Sequence, residues 1–270
     1  MTIESLLLSV TMAVAAGLVG SFAVMRRMSL AADPLSHVAL PGIGIALALH
    51  ISPVFGAVAM LAFGALLVWA VEERGGATTE SVIGVVFSAA LAIGSIMTTG
   101  EDLIEALFGG AGALSWSEKI FGFSVAVAIV VFMVLFRNRL IIMMVSPDIA
   151  RTAGINVRRF DLLYLEAFAL TIALGLRYLG VLLMGALIII PAATAKRLAH
   201  DLKSMLWISV VLSLISTTLG NAIAAHLHGQ AGPIIVLVAT ALFLLSLLPR
   251  RQWTRVSSVR VGSGREGKNA

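Results

Sequence analysis

The sequence predicts an all-α protein, a polytopic bundle of transmembrane helices, and three observations carry that prediction. Charged residues are too scarce to wet a globule, apolar runs of spanning length recur along the chain, and basic residues collect on alternate loops.

Of 270 residues, 59% are hydrophobic and 12% charged, with a mean hydropathy of +1.03. A soluble domain carries about 25% charged residues, because its surface must be hydrated. Most of this surface therefore meets lipid. The absence of cysteine excludes disulfides and thiolate metal sites. The net charge of +5 and pI near 10.2 raise the question of nucleic acid. The basic residues lie in loops and the tail rather than on one face of a polar domain, so nucleic acid is excluded. No cleavable signal-peptide pattern is present: the first apolar run is long enough to span and follows Glu4 rather than a basic stretch.

Measured against about 17–25 residues per span, the apolar runs number nine, within a range of eight to ten. They are 6–25, 36–52, 54–71, 80–98, 119–136, 161–176, 179–196, 204–223 and 232–249. The second and sixth are short and polar-interrupted, Pro41 and Gly42 break the second, and Pro191 falls near the end of the seventh. Breakers survive in membranes where neighbouring helices or a polar cavity satisfy the freed backbone. With the N-terminus outside and the C-terminus inside, 17 Lys and Arg residues fall inside and only Lys119 and Arg177 outside. That asymmetry matches the positive-inside rule.

Two segments between runs do not read as spans. Residues 99–118 carry four acids and a Gly-rich stretch, and read as an outside loop or surface helix. Residues 137–160 form a basic inside loop, with a short helix capped by Ser146 or Asp148 and ended by Gly154. That helix is either an ordinary amphipathic piece on the headgroups or a docking element for a cytoplasmic partner. Residues 250–270 are rich in Arg, Ser and Gly without apolar period, and read as a disordered basic cytoplasmic tail. The transmembrane body is thus 1–249.

An ionisable side chain inside a span costs about 2.5–3.5 kcal/mol on insertion scales, so each needs a partner or a task. Asp33 and His37 stand four apart, on one helical face. A carboxylate and an imidazole at that spacing suit zinc, manganese or a similar cation, but two ligands need others to complete the shell. Asp33 before Pro34 equally suits a helix N-cap with Pro at the first helical position. Spacing alone leaves both open. Glu166 reads as a buried group paired with another helix, with Arg177 the candidate partner. His226 and His228 form a His-x-His pair able to collect metal at an entrance, although two loop histidines are more often ordinary surface residues. His50 and His200 carry no signal alone. No G-x-x-x-x-G-K-[ST] phosphate loop exists, so the chain is not expected to be an enzyme, and ATP chemistry would belong to a partner.

Several motifs in order complete the reading. They are Gly20 to Gly42 (GSFAVMRRMSLAADPLSHVALPG), Glu73-Arg74-Gly75-Gly76 with Glu80, Ile83 and Gly84, and Ser146-Pro147-Asp148-Ile149-Ala150 with Gly154 and Ile155. Gly180 to Ala193 and Gly232-Pro233 follow. With these, the chain resembles the membrane permeases of bacterial ABC importers for zinc, manganese and iron(II), the metal-type family called ABC-3. The resemblance implies an inner-membrane homodimer over a dimeric cytoplasmic ATPase, fed by an extracytoplasmic metal-binding protein. It implies that Asp33 and His37 meet the transported metal, and that Ser146, Asp148, Ala150 and Gly154 belong to a coupling helix. It implies no resident cofactor. A gradient-driven secondary transporter is the alternative; it would need an acidic or histidine relay and usually an internal repeat, and none is evident. A membrane enzyme would need a cluster of catalytic polar groups at one membrane face, and none appears.

Overall fold

A computed structural model describes residues 3–29, 31–75, 78–97, 115–179, 181–227, 229 and 231–248. Every regular element among them is an α-helix. In chain order these are α1 (Ile3–Met25), α2 (Ala32–His37), α3 (Ala39–Ala48), α4 (Pro53–Gly75), α5 (Thr79–Met97) and α6 (Trp116–Val145). Then follow α7 (Pro147–Thr152), α8 (Val157–Leu179), α9 (Val181–Leu198), α10 (Leu202–Leu227) and α11 (Ala231–Leu247). The tail from 250, most of 99–118 and His228 lie outside the described residues.

Among the described residues, five helices are long and apolar enough to cross a membrane: α1, α4, α5, α6 and α10, with α11 a shorter apolar helix. The other runs form helices too, but of an interior kind. Helix α8 carries Arg158, Arg159, Asp161 and Glu166, yet Tyr164, Phe168 and Ile172 along it are fully buried. It packs against α1, α4 and α9, while α1 also packs against α9 and α10. The Tyr164 ring stacks on Phe168 and meets Phe22 at a tilt, each with centroids 6.3 Å apart, and the Tyr164 hydroxyl donates to the Val19 carbonyl at 3.2 Å.

Glycines set the closest helix contacts, as expected where packing rather than hydrophobic exclusion drives association. A Cβ on Gly17 would stand 2.8 Å from the Val210 Cα of α10, and one on Gly20 would strike the Ile188 carbonyl of α9. Gly42 of α3 and Gly56 of α4 face each other so closely that a Cβ on either would overlap the other's carbonyl.

The structure changes three boundaries. The run 36–52 is two helices, because Pro41 has no N–H to offer the His37 carbonyl one turn earlier. The backbone instead tightens at Val38, whose N–H reaches the Leu35 and Ser36 carbonyls. Residues 137–145, expected in a loop, continue α6 to its thirtieth residue. At 1.5 Å per residue α6 is about 45 Å long, more than the ~30 Å hydrocarbon core requires. At its other end α6 begins at Trp116, within the expected outside loop, where Ser115 and Glu118 form a capping box.

Candidate metal centre

Asp33 and His37 lie on α2, a six-residue helix entered through a chain reversal. At the end of α1 the Met28 N–H bonds the Ala23 carbonyl and Arg27 N–H the Val24 carbonyl, with Arg27 in the left-handed region at φ 61°. This is a Schellman closure, and it turns the chain back into the bundle: Met28, Ala31 and Ala32 are buried. Helix α2 then rests on α9, where a Cβ on Gly185 would come 3.5 Å from the Asp33 nitrogen. Gly185 stands eleven residues, about 16 Å of helix, from Lys196 near the end of α9. That end lies beside Val24 and so beside Arg26. The pair thus stands about 16 Å along α9 from the basic end.

The capping role for Asp33 is not what the structure shows. The N-cap of α2 is Ala31, with no side-chain cap bond, and Asp33 and Pro34 already lie inside the first turn. Asp33 is exposed, and its carboxylate makes no hydrogen bond or ion pair among the described residues. His37 is half-buried with its ring 5.6 Å from that of Phe87 on α5, and its Nδ1 is buried without a hydrogen-bond partner. An unpaired imidazole nitrogen is costly unless something binds it. An exposed carboxylate one turn away supplies the negative charge a divalent cation needs. Among the described residues no third His, Asp, Glu or Cys joins them.

The other expected site residues stand apart. His226 is exposed in the last turn of α10, and its expected companion His228 is outside the described residues. Glu166 is half-buried and has no partner among the described residues. The side chain of Arg177, its expected companion, lies outside the described residues.

The short helix after residue 145 is α7, at the basic end. Ser146, not Asp148, caps it, accepting from the Ile149 N–H at 3.3 Å, and Pro147 occupies the first helical position. Gly154, at φ 76°, closes it: the Ile155 N–H reaches the Ala150 carbonyl and the Gly154 N–H that of Arg151. Ala150 is fully buried, whereas Asp148, Ile149 and Arg151 are exposed. The outward face is therefore Asp148, Ile149 and Arg151; Ile149 and Arg151 were missed in the sequence, although a lone apolar residue between charges was the available signal.

Residues 1–250 match the family described as ABC 3 transport family. The chain belongs to the ABC 3 transport family. It is 30% identical over 255 residues to the high-affinity zinc uptake system membrane protein ZnuB of Haemophilus influenzae, covering 92% of this chain and 97% of that one. It is 29% identical over 249 residues to the manganese transport system membrane protein MntC of Listeria innocua, covering 91% and 89%. In three dimensions it is similar to a chain of PsaBC from Streptococcus pneumoniae, solved in complex with Fab. The TM-score is 0.77 and the identity 29%, over 90% of this chain and 89% of that one.

Proposed function

We propose that this ABC 3 family member is the membrane permease of an ATP-driven importer of divalent metal, taking zinc, manganese or iron(II) as cargo across a bacterial inner membrane. The observation that carries the reading is the pair Asp33 and His37: among the described residues, an unbonded exposed carboxylate and a buried imidazole nitrogen without a partner, one turn apart. Two ligands from one chain suit a homodimer whose second copy completes the shell. Nine spans with the N-terminus outside, as the charge asymmetry supports, put α7 in the cytoplasm. There its exposed Asp148, Ile149 and Arg151 meet a separate ATPase that hydrolyses ATP, since this chain has no phosphate loop. A metal-binding protein on the outer side delivers the cargo.

The test is uptake in proteoliposomes holding the chain with its ATPase and binding protein. Zinc, manganese and iron(II) are each supplied, with and without ATP. ATP-dependent accumulation of one of them, lost when 147–152 is scrambled and the ATPase no longer co-purifies, is expected. Uptake that persists without the ATPase and follows an ion gradient would instead favour a secondary transporter, with Glu166 its first candidate relay.

A further inference from the structure

We propose that Arg26 and Asp161 are a positioning pair that passes movement of α7 to the segment holding Asp33 and His37. The inference rests on the reading above, in which α7 meets the ATPase.

The first observation is how α8 begins. Only Ile155 and Asn156 separate the Gly154 closure from α8, and Asn156 Oδ1 accepts from the Arg159 N–H at 3.1 Å. A shift of α7 therefore reaches the first turns of α8 with little slack. Those turns are fastened to three neighbours. Arg158 pairs with Glu73 at the end of α4 and lies over the Trp69 ring, whose Nε1 donates to the Arg158 carbonyl at 3.1 Å. The Phe160 ring packs on Phe136 of α6, with the Arg139 guanidinium over both. Asp161 accepts from Arg26.

Burial decides which ionic link matters. Arg158 and Glu73 are 62% and 35% exposed, and an ion pair so wetted contributes little. Arg26 and Asp161 are 20% and 29% exposed, and the Arg26 guanidinium also lies 4.9 Å from the ring of Tyr164, which is fully buried. Parting a mostly buried pair leaves each charge uncompensated. Of the two ion pairs, the one that ties the end of α1 to the start of α8 is therefore the harder to part.

The second observation is what Arg26 carries. It immediately precedes the left-handed Arg27 that reverses the chain, and Asp33 lies seven residues further on, past buried Met28, Ala31 and Ala32. A pull on Arg26 thus acts on the entrance to α2. The link joins the partner-facing end of the molecule to the metal-facing helix through one side-chain pair.

The experiment uses the full complex in proteoliposomes, with metal uptake and ATP hydrolysis measured together. Asp161→Asn is expected to keep the ATPase bound and hydrolysing while metal delivered per ATP falls about tenfold. The exchange Arg26→Asp with Asp161→Arg is expected to recover that ratio, and Glu73→Gln to leave it unchanged. Wild-type delivery per ATP in Asp161→Asn overturns the proposal. So does an exchange no better than either single change, or loss of assembly in Asp161→Asn that the exchange does not repair. If the unaltered complex retains no ATPase or moves no metal, the importer reading fails instead, and the two failures are distinct.

Discussion

Asp33→Asn separates the two roles that α2 offers its carboxylate. Had Asp33 capped the helix, removing the charged acceptor would disturb a bond of about 0.5–2 kcal/mol. The cap is Ala31, and the carboxylate makes no hydrogen bond or ion pair among the described residues. What remains is its charge near the start of a six-residue helix, a term of about 0.3–1 kcal/mol. Thermal unfolding in detergent should therefore change by less than ~1 kcal/mol. Uptake should respond very differently. Disturbing a residue that merely orients a ligand costs about 10–100-fold in metal affinity or activity. Losing a charged ligand should cost at least the upper end, so uptake at limiting metal falls by about 100-fold or more. The assay pairs radiometal uptake in proteoliposomes with unfolding of the same preparation. A variant that unfolds early but transports normally when assembled would refute the ligand assignment and restore a structural role.

Gly42→Ala forces a Cβ onto the Gly56 carbonyl, and because backbone faces backbone neither side can yield by changing rotamer. We expect the upper part of the overpacking range, about 3 kcal/mol, read as a lowered unfolding temperature. Ser146→Ala removes the cap of α7 and should cost the chain about 1 kcal/mol, read as weaker ATPase retention on a column. The Ser204 side chain and then the Ser204 N–H, which donates to Asp201 at 2.8 Å, hold its exposed carboxyl below the usual carboxylate range. A depressed folded value means stability present above the unfolded value and lost as pH falls through the folded one. The stability gap between the unaltered chain and Asp201→Ala should thus be full at neutral pH and close below about pH 4.

Periodicity and charge found the helices because lipid makes both strong signals, but they misjudged the places where protein rather than lipid sets the rules. α6 runs on past Phe136 to Val145 because Arg137 and Arg139 end the apolar run without ending the helix. The broken second run illustrates a different limit. Pro41 announced a break, yet its position at Val38 depends on α5 as well, where a Cβ on Gly94 would come 2.9 Å from the Leu40 Cβ. The Ser146 cap and the Gly154 closure were legible because both are local and need no knowledge of packing.

The proposed metal ligands Asp33 and His37 were legible for a similar reason, since an i, i+4 pair is local, but their setting was not. A helix of six residues is well below the ~12–15 at which isolated helices are even marginal. α2 therefore does not hold Asp33 and His37 in register by its own stability. Its shape is imposed by α9 at Gly185, by Phe87 of α5 against His37, and by the reversal at Arg27. A ligand helix borrowed from its neighbours responds when they move, whereas a long self-supporting span would resist. The short, broken second run is therefore suited to a site that must bind a cation in one arrangement of the bundle and release it in another.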